Sequence, residues 1–402
     1  MANPYRGLFA APGTKGFALA GLLARIPLPM TGIGIITMLS QLRGSYALAG
    51  AVSATFVLTY ALLSPQISRL VDRHGQGRVL PAATAISVIG VLLLLASAWW
   101  QAPDWTLFVG ALLCGFMPSM SAMVRARWTA IYRSQPRLQT AYSLETVFDE
   151  VTFIAGPPMS VGLSVAVFPQ AGPLLAAVLL TLGVLALVAQ RGTEPPIEAQ
   201  DGTTDCSGSV IRLENVWLLA LLMVAMGVIV GTVDIVSVAY AEQLGQPAAA
   251  SLVLSAYAVG SCLAGLLFGA LKLQTPLHRL LLLGGLATAA TTLPLPLVGS
   301  IPALAAAVLV AGLFFAPTVI VAMSLVERLV PERRLTEGMT WLLAGLNVGV
   351  ALGAAASGRV VDNGEARAGF AVALCAGALV LLVAIWGYQR LRAHGSPVPN
   401  AV

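Results

Sequence analysis

Twelve apolar segments separated by polar turns run the length of the chain, at roughly 16–39, 47–67, 80–100, 105–124, 139–165, 172–190, 216–240, 249–271, 280–299, 303–326, 337–358 and 368–389. A helix needs about 20 apolar residues to cross the hydrocarbon core of a bilayer. Within lipid it must satisfy every backbone N–H and C=O internally, which selects helices for segments of this kind. Most connections are short, so consecutive segments are antiparallel. One long polar interruption, Arg191–Asn215, carries Pro195, Pro196, Asp201 and Asp205 and falls near the midpoint. The pattern predicts an all-α membrane protein: a six-helix bundle over 1–190, a linker over 191–215, and a second bundle over 216–402.

Composition agrees. Of the 402 residues 58% are hydrophobic and only 10% charged, against about 25% charged in a typical soluble domain. The net charge of +5 looks like a nucleic-acid signal until the bases are placed. Eighteen of the 22 Lys and Arg residues fall on the side holding both termini. Arg43, Arg359 and Arg367 fall on the other, and Arg25 lies inside a segment. The positive-inside rule therefore puts both termini in the cytoplasm and explains the basic charge as a topology signal, so no nucleic-acid partner is expected. Cys114, Cys206, Cys262 and Cys375 match no zinc spacing and no disulfide framework, so neither metal nor cofactor is expected. The first apolar run begins only after Lys15 and more spans follow it, so no cleavable signal peptide is expected.

The most densely charged turn, Ser68–Arg78, separates the second and third segments. Arg69, Arg73 and Arg78 suit an inner-face turn, while Gly75 and Gly77 permit a tight one. Asp72 is an acid among bases at a helix end. The halves also repeat: Pro317 to Glu327 parallels Pro118 to Arg127, and Arg334–Gly338 leading to Gly353 parallels Arg137–Ala141 leading to Gly156. Gly269 and Arg279 parallel Ser68 and Arg78, with Leu273 in the place of Asp72.

The spacing small-x-x-x-Asp-Arg-x-Gly-x-x-Arg, carried by Ser68, Asp72, Arg73, Gly75 and Arg78, resembles the signature between helices 2 and 3 of the major facilitator superfamily of secondary transporters. The resemblance covers essentially the whole chain and implies twelve transmembrane helices in two pseudo-symmetric bundles. It implies that Asp72 meets the start of helix 11, with Arg73 and Arg78 completing a conformational clamp. Ser68 stands for the usual glycine, and Gln76 and Gly77 stand for bases, which implies a weaker clamp. A solvated topology loop is the plainer reading of the same residues. In helix 5, Gly156-Pro157 resembles the Gly-Pro motif of the family's proton-driven exporters, although Ser160 and Val161 replace a usual glycine pair. The buried arginine those exporters carry in helix 4 is absent from 111–124. Arg125 and Arg127 follow at the cytoplasmic end, where snorkelling accounts for them.

Charges inside a membrane cost at least ~2.5–3.5 kcal/mol each near its centre, so they default to function. Arg25 lies about ten residues into segment 1, and Asp149 and Glu150 lie about as deep in segment 5, which enters from the same side. At ~1.5 Å per residue all three sit roughly 15 Å from the cytoplasmic surface. Helices 1 and 5 are neighbours in the resembled fold, which implies that Arg25 pairs with Asp149 or Glu150. Such a pair is either proton-responsive or a fixed bridge. Asp234, in segment 7, is a candidate for proton exchange, for a cationic substrate, or for a polar rim. Tyr60, Tyr142, Tyr257, Trp341 and Asn347 are softer candidates for a substrate cavity, with packing as the alternative.

Enzyme chemistry finds no support. His74, His278 and His394 all sit at cytoplasmic ends, and neither a His-Glu-x-x-His pattern nor a nucleotide-binding loop occurs. With loops this short, little surface remains for a receptor or scaffold role. The expected function is secondary transport in the cytoplasmic (inner) membrane by a chain sufficient as a monomer. The favoured form is export of a small organic molecule, drug-like or metabolic, against protons. Proton-coupled uptake and lipid flipping on the same fold are the alternatives.

Overall fold

The computed structural model describes residues 4–196, 209–246, 249–271, 275–362 and 365–394. Cys206, Asp201, Asp205 and Leu273, considered above, lie outside the described residues. Among those described there is no strand. Twelve helical spans follow the apolar pattern: α1 (Thr14–Arg25 continuing as Pro27–Arg43), α2 (Tyr46–His74), α3 (Gln76–Trp99), α4 (Asp104–Cys114 and Met120–Tyr132), α5 (Arg137–Ala166), α6 (Ala171–Val188), α7 (Glu214–Gln243), α8 (Ala249–Ala270), α9 (Leu277–Thr292), α10 (Ile301–Leu329), α11 (Leu335–Asp362) and α12 (Phe370–His394). Ten of these are both long and apolar enough to cross a membrane. The other two are α4, which is broken, and the 30-residue α5, whose apolar character is interrupted by Glu145, Asp149 and Glu150.

Two breaks have clear causes. In α1, Pro27 and Pro29 have no N–H to give, so the carbonyls of Leu23 and Arg25 lose their helical partners and the helix is interrupted at Ile26. In α4, Gly115–Ser119 is non-helical and includes Pro118, and a new helix starts at Met120. That second piece runs to Tyr132, eight residues past the end the apolar pattern predicts. At the boundaries, Trp99, Trp100 and Trp105 are exposed around the α3–α4 turn, as expected of an aromatic belt.

The chain forms two compact units. The first comprises 1–208 with 331–344, the second 209–330 with 345–402. Within the first, α1 packs on α5 and α6, α2 on α4, and α3 on α4 and α6. Within the second, the equivalent pairs recur six helices later: α7 with α12, α8 with α10, and α9 with α10 and α12. The α7–α11 pairing that matches α1–α5 is a glycine seam. A Cβ on Gly227 would lie 2.1 Å from Leu346 O, and one on Gly231 2.0 Å from Val350 O. Small residues permit such backbone approach in membranes, where lipid supplies no hydrophobic drive between helices. The repeated pairing is the structural counterpart of the sequence repeat.

Candidate functional site

Arg25 is the last residue before the break in α1 and is 4% exposed. Its Nε donates to Gly21 O at 3.2 Å. Its Nη1 donates to Asp149 Oδ1 at 3.0 Å and to Glu145 O at 3.3 Å, and Nη2 is ion-paired with the Glu145 carboxylate. Glu145 and Asp149 are four residues apart on α5 and therefore share a face. Glu150, half-buried, is about 100° further round. Of the two acids expected opposite Arg25, Asp149 is in contact, and Glu145 joins it. Sequence depth alone passes over Glu145, because it lies only six residues into the segment. Its i, i+4 relation to Asp149 is the signal that finds it.

The second piece of α4 completes the cluster and overturns the snorkelling expectation for Arg125 and Arg127. Both are fully buried. Because the helix restarts at Met120, Arg125 falls in its second turn, packed on α5 rather than at a free end. Its Nη2 donates to Asp149 Oδ2 at 2.8 Å, and Ser121 Oγ donates to Asp149 Oδ1 at 2.5 Å. Trp128 Nε1 donates to Glu145 Oε1 at 2.8 Å. Two guanidinium groups and two carboxylates thus form a neutral set. Glu145 and Arg125 are 0% exposed, whereas Asp149 at 21% is the most exposed member. Arg125 Nε and Nη1 have no hydrogen-bond partner.

The Gly-Pro motif sits where α5 meets the break in α1. A Cβ on Gly156 would lie 2.8 Å from Pro29 Cγ and 3.4 Å from Ile26 O, so the two helices approach there only because the residue is glycine. Pro157 and Pro158 follow inside the helix. Ser160, which stands for a family glycine, donates to Met30 O at 2.9 Å just beyond the break.

At the charged turn, a single residue, Gly75, joins α2 to α3 with φ of 86°, a conformation that favours glycine. Ser68 Oγ lies 2.7 Å from Thr340 Oγ1, and Asp72 Oδ2 accepts from Glu337 N at 2.8 Å. Glu337 belongs to the first turn of α11, whose N–H groups have no intrahelical acceptor, and a carboxylate also suits the positive end of the helix dipole. Leu335–Ala344 clusters with the first unit, so these contacts are internal to it. Arg73 and Arg78 do not complete this network. Both are outside the core and make no hydrogen bond or ion pair among the described residues. The positions lacking family bases are used differently. Gln76 is buried, donates to Met123 O at 3.1 Å and accepts from Arg127 Nε at 2.8 Å. Arg127 Nη1 reaches Gln190 O at 2.9 Å and Thr193 Oγ1 at 2.7 Å, and Gly77 N donates to Glu194 Oε1 at 2.8 Å. The segment after α6 is thereby tied to the α2–α3 turn.

In the second unit, Asp234 is half-buried on α7, three residues past Gly231 of the seam, and has no partner among the described residues. On the same helix the hydroxyls of Thr232 and Ser237 are buried and unpartnered. Asn347 is half-buried and forms no hydrogen bond among the described residues. Tyr257 is nearly buried, its ring 5.8 Å from that of Phe315, and Trp341 is half-buried in the first unit. Tyr142 is fully buried with its hydroxyl 2.6 Å from Thr129 Oγ1, a packing position. No group of three or more His, Cys, Asp or Glu side chains suited to a metal occurs among the described residues.

The family model for the Major Facilitator Superfamily matches residues 17–246 and again 219–401. No curated protein sequence matches. Among solved structures, the chain is similar to a bacterial homologue of the iron transporter ferroportin in an outward-facing state, with 16% identity, a TM-score of 0.73, and coverage of 94% of this chain and 100% of that one. It is similar to the human organic anion transporter MFSD10 (TETRAN) at 14% identity and a TM-score of 0.69, covering 94% and 100%. A variant of the Escherichia coli fucose:proton symporter FucP gives 13% identity and a TM-score of 0.68, covering 92% and 98%.

Proposed function

Because the chain belongs to the Major Facilitator Superfamily, whose members are alternating-access membrane transporters and not enzymes, we propose that it exports a small organic molecule by proton antiport, with Asp149 as the proton carrier. The observation that carries this reading is the position of Asp149, which bridges Arg25 and Arg125 and is the most exposed of the four charges. Glu145, sealed by Arg25 and Trp128, is the fixed counter-charge.

Protonation of Asp149 removes one negative charge from a neutral set and leaves two arginines facing Glu145 alone. A surplus positive charge at low dielectric disfavours that arrangement and shifts the balance between inward- and outward-open states. Loss of the proton on the other side restores the bridge. The break in α1 beside Arg25, held against Gly156 and Ser160, is the joint at which such a shift is absorbed. Asp234 is a second candidate for a proton or for the positive charge of a substrate, with Tyr257 and Asn347 as further substrate contacts in the same unit and Trp341 as a separate candidate in the first. Asp72 caps the start of α11 within the first unit.

We take 1–190 and 216–402 as the moving halves and 191–215 as the linker. Both termini lie in the cytoplasm, the site of action is the cytoplasmic membrane, and one chain suffices. Export is favoured by the Gly-Pro motif. Proton symport is the nearest alternative, since the same carboxylate serves it and a fucose:proton symporter shares the fold. The test is reconstitution in liposomes holding a pH-sensitive dye, with a panel of cationic and neutral compounds. Compound-dependent proton movement that is lost in Asp149→Asn supports the reading, and its sign separates antiport from symport. Absence of proton movement with every compound that is transported rejects it.

A further inference from the structure

At the ends of α7 and α12 that the basic-residue count assigns to the cytoplasm, a cavity of about 610 Å³ opens among Arg212, Glu214, Asn215, Val216, Leu329 and Arg390. The side chains of Arg212 and Asn215 make no hydrogen bond or ion pair among the described residues. Arg390 is ion-paired with Glu214, which is itself 74% exposed, and its guanidinium lies 5.5 Å from the ring centroid of Trp386. Trp386 in turn meets Trp217 edge-on at 6.4 Å, and both indoles are nearly half exposed.

We propose that this cavity binds the headgroup of an anionic phospholipid of the inner leaflet. Two arginines against one carboxylate leave a single positive charge, which complements one phosphodiester. A zwitterionic headgroup would bring a cation of its own. The guanidinium forks and the Asn215 amide offer donors to phosphate and glycerol oxygens. The adjoining Trp217–Trp386 pair decides between a lipid and a free phosphate. Paired indoles exposed one turn inside the boundary are the usual neighbours of an acyl chain, whereas inorganic phosphate has nothing to place there. Basic pockets between membrane helices on the cytoplasmic side take acidic headgroups for these reasons. Bound there, the lipid ties the exit of the linker at 209–215 to the end of α12. It is a site distinct from the Arg25–Asp149 cluster.

Native mass spectrometry of the protein in mild detergent tests this, with phosphatidylglycerol, phosphatidylcholine and inorganic phosphate each titrated. Phosphatidylglycerol is expected to be retained in preference to phosphatidylcholine, and millimolar phosphate is expected not to displace it. Arg212→Ala and Arg390→Ala each weaken retention about fivefold, the effect of one base near a membrane surface. Glu214→Gln strengthens it, because the competing carboxylate is gone; a merely structural Glu214–Arg390 pair predicts no such gain. Should Arg390→Ala fail to fold, Arg212→Ala carries the test, since that side chain has no protein partner to lose among the described residues. Equal retention of the two lipids, unchanged retention in Arg212→Ala, or displacement by phosphate alone overturns the proposal.

Discussion

Glu145 and Asp149 are one helical turn apart and share Arg25, yet their surroundings assign them different tasks. Glu145 is sealed from solvent with both oxygens engaged, so Glu145→Gln strands a buried positive charge. Breaking a buried pair in this way costs about 3–5 kcal/mol, expected as a large fall in Tm in detergent. Asp149→Asn removes the one carboxylate paired with Arg125 among the described residues, and since Arg125 is 0% exposed the expected loss of Tm is comparable. An unchanged Tm in either variant would show that the four charges are not a buried ion-paired set. Asp72 gives a second test at this scale. Asp72→Asn keeps an acceptor for Glu337 N but removes the charge at the start of α11, a loss of about 0.3–1 kcal/mol. Asp72→Ala also removes the cap, for which about 0.5–2 kcal/mol is usual. Limited proteolysis at Arg333 and Arg334, just before the capped turn, should quicken in that order.

Among the elements, the breaks matter more than the helices. α5 lies close to α1 where Pro27 and Pro29 interrupt its hydrogen-bond ladder, and Gly156 is the contact. Gly156→Ala should overpack this junction by about 1–3 kcal/mol. Gly162→Ala, in the same helix with open space around it, should not, and Tm measurements on the pair separate packing from helix propensity. Hydrophobic periodicity made the twelve spans and the repeat legible, because lipid imposes one length on every crossing. It failed at α4, where the Gly115–Ser119 break restarts the helix and carries Arg125 and Arg127 into the protein interior. A basic residue near the end of an apolar run looks the same in sequence whether it snorkels or is buried; only its neighbours on α5 and beside Gln76 decide. Glu145 is hidden by the same ambiguity of depth. Gln76 and Gly77, which look like lost bases, anchor the segment after α6 through Arg127 and Glu194.

For the whole molecule, the charge distribution and the paired repeat of helix contacts describe a transporter whose two halves share one design. Topology is directly testable. In a cysteine-free background, Gln101→Cys between α3 and α4 should react with an impermeant maleimide from outside intact cells, and Gln135→Cys between α4 and α5 only after permeabilisation; both positions are exposed. The reverse pattern would invert the orientation and with it the direction of proton entry. The central claim is that Asp149 links proton movement to transport. The most direct measurement compares two modes in proteoliposomes for any transported compound: net movement driven by an imposed proton gradient, and substrate–substrate exchange without a gradient. The account predicts that Asp149→Asn loses the gradient-driven mode and keeps exchange. An Asp149→Asn protein that still accumulates substrate at the wild-type rate under the same gradient would contradict it.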